Sequence, residues 1–222
     1  ELLSQNRITQ SKLQQDKKQQ QELVASIRKK AGNFEKELKQ KQEEVSRIDR
    51  EIDRLIREAI AAENKKKGSS STSKFELTPE AKELAASFTS NKGKLPWPVK
   101  SGVVAMKFGT HPHPVVKSVK VKSDGVRIET NENESVRTVF KGKVFKIQAI
   151  KGANKAVFVI HGDYLSVYNN LSSINVEVGD ELTTNQVIGK VGNSTATGRP
   201  TLSFLIYKNT QALNPAHWIY KM

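Results

Sequence analysis

Cysteine is absent from the 222-residue chain, and this absence removes several classes of function. A chain without thiols has no disulfide framework, no thiol nucleophile and no cysteine-based zinc finger. Aromatic residues are also few, at 6% of the chain, and no basic strand is rich in them as in a single-strand nucleic-acid binder. The sequence therefore gives no indication of a nucleic-acid partner.

No apolar run approaches the roughly 20 residues that a membrane-spanning helix requires.

Negative charge is scarce, and the formal net charge at pH 7 is +14. Residues 1–67 carry 17 basic and 12 acidic side chains, and residues 68–222 carry 20 and 11. The positive charge is therefore spread over the chain rather than confined to one tail. Such a surface suits an anionic lipid, an anionic wall polymer or an acidic protein, and it also suits a soluble domain without a charged partner.

Proline is missing from residues 1–63, which are rich in Gln, Glu, Lys, Arg and Leu and are predicted to be helical. From residue 24 onwards eleven of twelve heptad a and d positions are apolar, as in a coiled coil. This 39-residue stretch would be about 58 Å long. The heptad phase passes through Gly32-Asn33, so we expect one continuous helix there. The a positions are Val24, Ala31, Leu38, Val45, Ile52 and Ala59, and the d positions are Ile27, Phe34, Lys41, Ile48, Leu55 and Ala62.

The apolar seam of this helix needs a partner, for which the sequence leaves three choices. These are a preceding segment that folds back, a second copy of the chain, or another protein. The chain begins at Glu1 inside a helical pattern, so we expect it to be a trimmed piece, in which the absence of a signal peptide or anchor says nothing about the native protein.

Two short segments follow the helix. Residues 64–74, with the sequence NKKKGSSSTSK, have the composition of a flexible linker that reaches roughly 18 Å. Thr78-Pro79-Glu80 predicts a helix start, with Thr78 as N-cap and proline in the first turn. Within the segment 75–94, Leu84, Ala85 and Phe88 form an apolar stripe on this short helix.

From residue 95 to residue 222 the sequence predicts an antiparallel all-β domain. Short runs of Val, Ile, Phe and Thr alternate with Gly, Asn and Asp, and no helical period interrupts them. The run 156–160 is apolar on both faces and predicts a central strand. The predicted strands lie near 102–108, 115–121, 125–130, 135–140, 143–150, 156–161, 164–170, 186–191 and 201–207.

Five segments of the β region carry a family resemblance. In order and spacing they resemble the LytM domain of lysostaphin-like zinc metallopeptidases, over about residues 95–219. The coiled coil, linker, short helix and LPWPV segment before them look like the EnvC-type murein hydrolase activators. The resemblance implies a duplicated hybrid-motif β domain. The segments are FGTHPHP (108–114), DGVRI (124–128), VIHGDYLSVYNNL (159–171), VEVGDELTTNQVIGKVG (176–192) and GRPTLSFLI (198–206).

Active LytM members hold zinc with H-x-x-x-D, Y-x-H and H-x-H segments. Residues two or four apart on a strand share a face, so such segments aim their ligands at one point. The resemblance places these five positions on Ser123, Arg127, Asn170, Thr201 and Ser203, so all five ligand and catalytic types are replaced. A guanidinium at 127 puts a permanent cation where zinc would sit. We therefore expect no metal, no cofactor and no catalytic residue.

Four histidines remain elsewhere in the chain. His111 and His113 form an H-x-H segment that could mimic a metal-binding pair, but no third ligand is visible near them. Pro112 and Pro114 predict a loop there. His161 matches a framework position of the family, and His217 lies near the C-terminus. We expect structural roles for these side chains.

The resemblance implies a function for the metal-free groove. It implies binding of the regulatory helix of a periplasmic N-acetylmuramoyl-L-alanine amidase, activation of that enzyme during cell-wall splitting at division, and attachment of the coil to an ABC-transporter-like membrane complex. The implied location is periplasmic and envelope-associated. Side chains alternate between the two faces of a β-strand, so one face of the strand should carry Thr201, Ser203, Leu205 and Tyr207. The candidate groove residues are Ser123, Arg127, Tyr168, Asn170, Arg199, Thr201, Ser203, Leu205 and Tyr207.

Three other functions stay open at the level of sequence. One is a zinc endopeptidase with an unusual site, which the five replacements oppose. A second is a passive peptidoglycan-binding or scaffold protein, which the basic charge permits. A third is a biotinyl- or lipoyl-type carrier, suggested by Ala105-Met106-Lys107, although this lysine is not predicted to lie at a hairpin tip.

Overall fold

The computed structural model describes the backbone of residues 2–112, 120–150, 154–195 and 197–222, and the side chains of these residues from residue 10 onwards. The chain divides into two compact units, Glu1–Glu43 and Glu44–Met222. The first helix, α1 (Leu2–Lys66), contributes to both units and is continuous through Gly32-Asn33, as the heptad phase predicts. In the described part of the chain, no helix is long and apolar enough to cross a membrane.

In the first unit, α1 exposes its apolar seam. Val24, Ile27 and Phe34 are each 44–57% exposed, and Leu13 and Leu23 are more exposed still. The exposed seam and the heptad period therefore fit a coiled-coil element.

In the second unit, α1 is followed by α2 (Pro79–Ser90) and by a β domain. Its described residues form twelve strands and end in a 3-10 turn, Pro215–His217. The strands are β1 (Val103–Met106), β2 (Gly109–Pro112), β3 (Lys120–Ser123), β4 (Val126–Glu129), β5 (Ser135–Arg137), β6 (Gly142–Ala149), β7 (Lys155–His161), β8 (Tyr164–Ile174), β9 (Glu181–Leu182), β10 (Val187–Val191), β11 (Thr201–Lys208) and β12 (Gln211–Leu213).

The main sheet has the strand order β1-β4-β11-β8-β7-β6-β9, with β12 beside β11, and β10 bridging β5 and β8. β2 and β3 form a separate two-stranded sheet. All of these strand pairs are antiparallel, which confirms the predicted fold class. One parallel bridge, between Leu95 and Ile219, ties the LPWPV segment to the C-terminus.

Side chains alternate between the two faces of the central strands and build two cores. Along β11, Leu202, Phe204 and Ile206 enter the first core, which also contains Phe88 of α2. Leu205 and Tyr207 enter the second core. The second core also contains Ile52, Leu55, Ile56 and Ile60 of α1. The sheet is therefore covered by α2 on one face and by the end of α1 on the other.

Helix α2 begins where its sequence predicts, and the structure shows which surface its apolar stripe contacts. The Thr78 hydroxyl accepts a hydrogen bond from Ala81 N at 3.2 Å, and the helix ends at Asn91. Phe88 is fully buried and stacks on His161 at a ring-centroid distance of 4.8 Å. Gly162, at φ +78°, lies so close to α2 that a Cβ would clash with Ala81. The apolar stripe of α2 is thus buried on the flank of the β domain, not in the groove.

The segment 64–74, predicted to be a flexible linker, has defined contacts. Helix α1 extends to Lys66, and the buried side chain of Asn64 donates to the carbonyls of Ser71 and Lys74 at 2.8 and 2.6 Å. Its Oδ1 accepts from Glu76 N at 2.8 Å. One amide side chain therefore folds this loop back against the end of α1.

Three strands differ from the sequence prediction. The loop predicted around His111 and Pro112 is wrong, because these residues form β2 and pair with β3. The short strands β9 and β12 were not predicted, because two or three residues leave no alternation to recognise. His113 and most of the predicted strand 115–121 lie outside the described residues.

Candidate functional site

The groove is the face of β4, β8 and β11 that lies opposite the first core. Ser203 of β11 pairs with Arg127 of β4 on one side and with Asn169 of β8 on the other. Further along β11, Leu205 and Tyr207 continue the same face. The predicted alternation of β11, with 201, 203, 205 and 207 on one side, is therefore confirmed. The face runs from polar at one end to apolar and aromatic at the other.

The end of α1 lies on this groove. Ile52, Ile56 and Ile60 are at most 1% exposed, and they pack in the second core with Leu205 and Tyr207. The spacing of 52, 55, 56, 59 and 60 places these residues on one broad face of a helix. Leu205 and Tyr207 are themselves only 1% exposed. The apolar half of the groove is therefore closed by a segment of the same chain.

Two carboxylates of α1 meet the polar groups of the groove. The Tyr207 hydroxyl donates a hydrogen bond to Asp53 Oδ1 at 2.9 Å. Burial is the main cause that raises the pKa of Tyr207 well above its usual value, and the nearby carboxylates add to it. Burial lowers the pKa of Arg127, and Asp49 opposes this by attraction. Charge complementarity therefore accompanies the apolar contact.

A pocket remains between α1 and the polar end of the groove. Four of the predicted groove residues line it, together with residues of α1 and of the loop after β10. They are Arg127, Asn170, Thr201 and Ser203, joined by Asn169, Ser194, Thr195, Glu44, Val45, Ile48 and Asp49. Four of the five positions to which the family resemblance assigns the zinc-site residues therefore line this pocket.

The residues at these positions do not fit a zinc ion. The Asn170 amide donates to the carbonyls of Gly192 and Thr201 at 2.8 and 2.6 Å, and its Oδ1 accepts from Asn154. The Ser123 hydroxyl donates to Gly125 O at 3.0 Å. These side chains brace the backbone, and the Arg127 guanidinium has no lone pair to offer a metal.

Asn170 also has an unusual backbone conformation, with φ +75°. Asn tolerates this left-handed region better than most residues, because its short side chain bonds to nearby backbone. Within the described residues, no three His, Asp or Glu side chains are grouped so as to hold a metal ion.

Two predicted groove residues lie elsewhere. The prediction for Tyr168 is wrong, because its ring is fully buried in the first core, on the other face of β8. Its hydroxyl accepts a hydrogen bond from Val139 N at 2.8 Å. Arg199 lies outside the pocket, with a side chain that is 70% exposed and an ion pair to Glu129 at 3.1 Å.

His161 has a structural environment, in line with its framework position. It is fully buried, and its ring nitrogens are 2.7 Å from Lys141 O and 2.8 Å from the Ser166 hydroxyl. Burial lowers its pKa to about 4, which outweighs the hydrogen bond to Lys141. The ring is therefore neutral near pH 7.

Sequence reasoning missed the contribution of α1 to the groove. Ile56 and Ile60 are apolar although neither occupies an a or d position of the heptad. An apolar face of this width exceeds a two-stranded seam and is typical of a helix that packs on a broad surface. This signal distinguishes the end of α1 from the preceding coiled-coil stretch.

Comparisons with known proteins agree with the resemblance. Residues 121–215 match Peptidase family M23. Murein hydrolase activator EnvC of Escherichia coli (strain K12) is 30% identical over 129 residues, which cover 58% of this chain and 29% of that protein. Cell division protein DipM of Caulobacter vibrioides (strain NA1000 / CB15N) is 26% identical over 129 residues, with coverages of 57% and 20%.

Among solved structures, Helicobacter pylori Csd3 in its orthorhombic crystal has a TM-score of 0.49 at 27% identity, covering 58% of this chain and 35% of that chain. The chain spans less than a third of the length of the two curated relatives. The match of residues 121–215 to the family thus makes the β domain similar to the M23 (LytM) type.

Proposed function

Because the M23-type domain of this chain replaces every zinc-site residue that its family resemblance implies, we propose that the chain is a non-catalytic activator of a cell-wall hydrolase. The partner we propose is an N-acetylmuramoyl-L-alanine amidase, activated in the envelope during cell-wall splitting at division. The E. coli relative EnvC is a murein hydrolase activator, which supports this class of function.

The observation that carries the proposal is the seating of α1 on the groove. The groove accepts an amphipathic helix through a row of buried apolar contacts and through Tyr207 and Arg127. Large residues of this kind anchor helix-in-groove interfaces. The groove therefore has the chemistry to bind a regulatory helix of an amidase and to draw that helix away from the enzyme.

The same contact gives the proposed activator a closed state. A partner helix and α1 require the same apolar surface, so they cannot occupy it together. In this closed state the end of α1 is the segment that restrains the domain. Helix α2 does not cover the groove, because Phe88 of its apolar stripe is buried against His161 and Tyr164. Closure that is favoured by about 2.7 kcal/mol would hide the groove a hundredfold.

Release of α1 requires a signal, and the first unit is the part of the chain suited to receive it. Its exposed seam, with Val24, Ile27 and Phe34, has the pattern of a coiled-coil partner surface. By family resemblance, we propose that an ABC-transporter-like membrane complex of the division machinery binds there. A periplasmic location follows from the same proposal.

A dye-release assay of amidase action on peptidoglycan tests this function. Amidases of the source organism would be assayed alone, with the full chain, and with residues 75–222. We expect no cleavage by the chain alone and stimulation of at least one amidase, stronger with the shorter chain. No stimulation of any amidase by either form would refute the proposal.

A passive peptidoglycan-binding scaffold is the second candidate, favoured by the basic charge of residues 68–222. It predicts that the chain sediments with purified peptidoglycan and that amidase activity stays constant over the whole titration. A scaffold function gives no role to the contact between α1 and the groove. The scaffold is therefore the weaker of the two candidate functions.

A further inference from the structure

Three carboxylates converge where α1 meets the groove. Asp49 and Asp53 lie one helical turn apart on α1, and Asp124, between β3 and β4, raises the pKa of both through its negative charge. Three cations face them. Lys122 forms an ion pair with Asp124 at 3.0 Å, Arg127 attracts Asp49, and Arg57 attracts Asp53. Acidic and basic side chains therefore meet in a partly buried contact.

Asp49 is more deeply buried than Asp53. It lines the pocket with Ile48 and Arg127, and loss of water is the main cause that raises its pKa to about 6. Attraction by Arg127 and Lys122 lowers the pKa, while repulsion by Asp124 and Asp53 raises it. The ionised form of Asp49 is thus less stable with α1 on the groove than in water.

Asp53 has the same tendency in a milder form. Burial raises its pKa, whereas the hydrogen bond from Tyr207 lowers it. Asp124 adds repulsion, and Lys122 and Arg57 add attraction. The net shift is upward, so Asp53 also prefers its neutral form while α1 is seated.

We propose that Asp49 and Asp53 form a pH-dependent latch, which holds α1 on the groove when they are protonated and loosens it when they ionise. When closure raises the pKa of a carboxyl, the protonated carboxyl stabilises the closed state. This stabilisation is complete below the ordinary pKa of the carboxyl, and it is lost as the pH rises through the raised pKa. For Asp49 the window runs from 3.8 to about 6. The consequence for amidase activation rests on the proposed function, whereas the latch itself does not.

Amide hydrogen exchange of the full chain at pH 5.0 and pH 7.5 tests the latch. Intrinsic exchange rates at each pH are divided out to give protection factors, and amides of β7 and β8 serve as the internal reference. We expect the protection of residues 48–60 relative to this reference to fall about tenfold from the lower to the higher pH, since one pKa unit corresponds to a tenfold change. Equal relative protection at both pH values, together with an unchanged distance between labels on α1 and on the β domain, would overturn the proposal.

Two variants assign the effect to the right carboxylates. Asp49→Asn/Asp53→Asn keeps the shape of both side chains and should remove most of the pH dependence. Glu51→Gln removes another charge of the same helix, one that binds Arg54, and should retain the pH dependence. If the first variant keeps the full dependence, or the second loses it, the latch is not at Asp49 and Asp53.

A distance measurement covers the case in which released α1 stays helical. The chain has no cysteine, so Arg50→Cys on α1 and Lys190→Cys on β10, both exposed, accept spin labels at those positions alone. Pulsed electron resonance should show a single short distance at pH 5.0 and added longer distances at pH 7.5. An unchanged distribution, together with unchanged exchange, would exclude release. Neither measurement contains an amidase, so failure of the latch and failure of the proposed function are separate results.

Discussion

The hydroxyl of Tyr207 donates a hydrogen bond to the carboxylate of Asp53 across 154 positions of sequence, joining strand β11 to helix α1. It is a direct polar link between the groove and the helix that covers it. Because the hydroxyl is buried, its loss or the loss of its acceptor weakens the closed arrangement rather than the β domain as a whole.

Tyr207→Phe should loosen α1 by about 1 kcal/mol, the usual net value of such a hydrogen bond. In an Asp53→Ala background the same substitution should cost much less, since the acceptor is already gone. Protection factors of the amides of residues 48–60 give both free energies. Equal costs in the two backgrounds would mean that this hydrogen bond does not hold α1.

Ile52→Ala/Ile56→Ala should open the groove, because removing methyl groups from fully buried positions costs about 2 kcal/mol or more for each residue. Amidase stimulation by the full chain should rise. Ile27→Ala is the matched control, since Ile27 is 57% exposed in the first unit. Constant stimulation by the opened variant, with exchange confirming release, would show that α1 does not restrain the activator.

Tyr207→Ala and Arg127→Glu should reduce amidase stimulation if the groove is the binding surface. Truncation of a central anchor costs about 2 kcal/mol, or roughly thirtyfold in affinity. Both substitutions also weaken α1, so they belong in the Ile52→Ala/Ile56→Ala background, where closure no longer masks binding. Arg199→Ala, on an exposed side chain outside the pocket, is the control. Unchanged titration curves for both groove variants would place the binding surface elsewhere.

The purified chain should carry no stoichiometric zinc and should not cleave peptidoglycan cross-links. The side chains of Ser123, Arg127 and Asn170 supply donors or a fixed cation where a ligand set is required. Elemental analysis and a cross-link cleavage assay with and without chelator check this. Zinc near one equivalent, together with chelator-sensitive cleavage, would contradict it.

His161 should make the β domain less stable in acid. Its pKa is lowered from 6.5 to about 4 in the folded chain, so its contribution to stability is fully present above pH 6.5 and is lost as the pH falls towards 4. The shift corresponds to about 3 kcal/mol. Urea unfolding between pH 7 and pH 4.5 should show a smaller change for His161→Asn, which cannot take up the proton. An identical change in both proteins would rule out His161 as the cause.

Much of the fold is determined locally and was accessible from the sequence. The heptad period predicts α1, Thr78-Pro79 predicts the start of α2, and alternation along 201–207 separates groove from core. Each of these signals depends on residues a few positions apart, which share a face because helices and strands have fixed periods. Tyr168 was misplaced because residues two apart on a regular strand share a face, whereas the register of β8 shifts between Asn169 and Leu171. Tyr168 instead pairs with Phe204 and faces the first core.

What the sequence by itself determined is a continuous amphipathic helix, a β domain of the M23 type and a set of residues unsuited to zinc. Only the tertiary structure decided which surface covers the groove. Ile52 and Asp53 meet Leu205 and Tyr207 through contacts that no local period encodes. An apolar helical face fits any complementary surface, because hydrophobic burial is non-directional. Its choice between a partner helix and the groove of its own chain depends on shape and charge that arise once the sheet has formed.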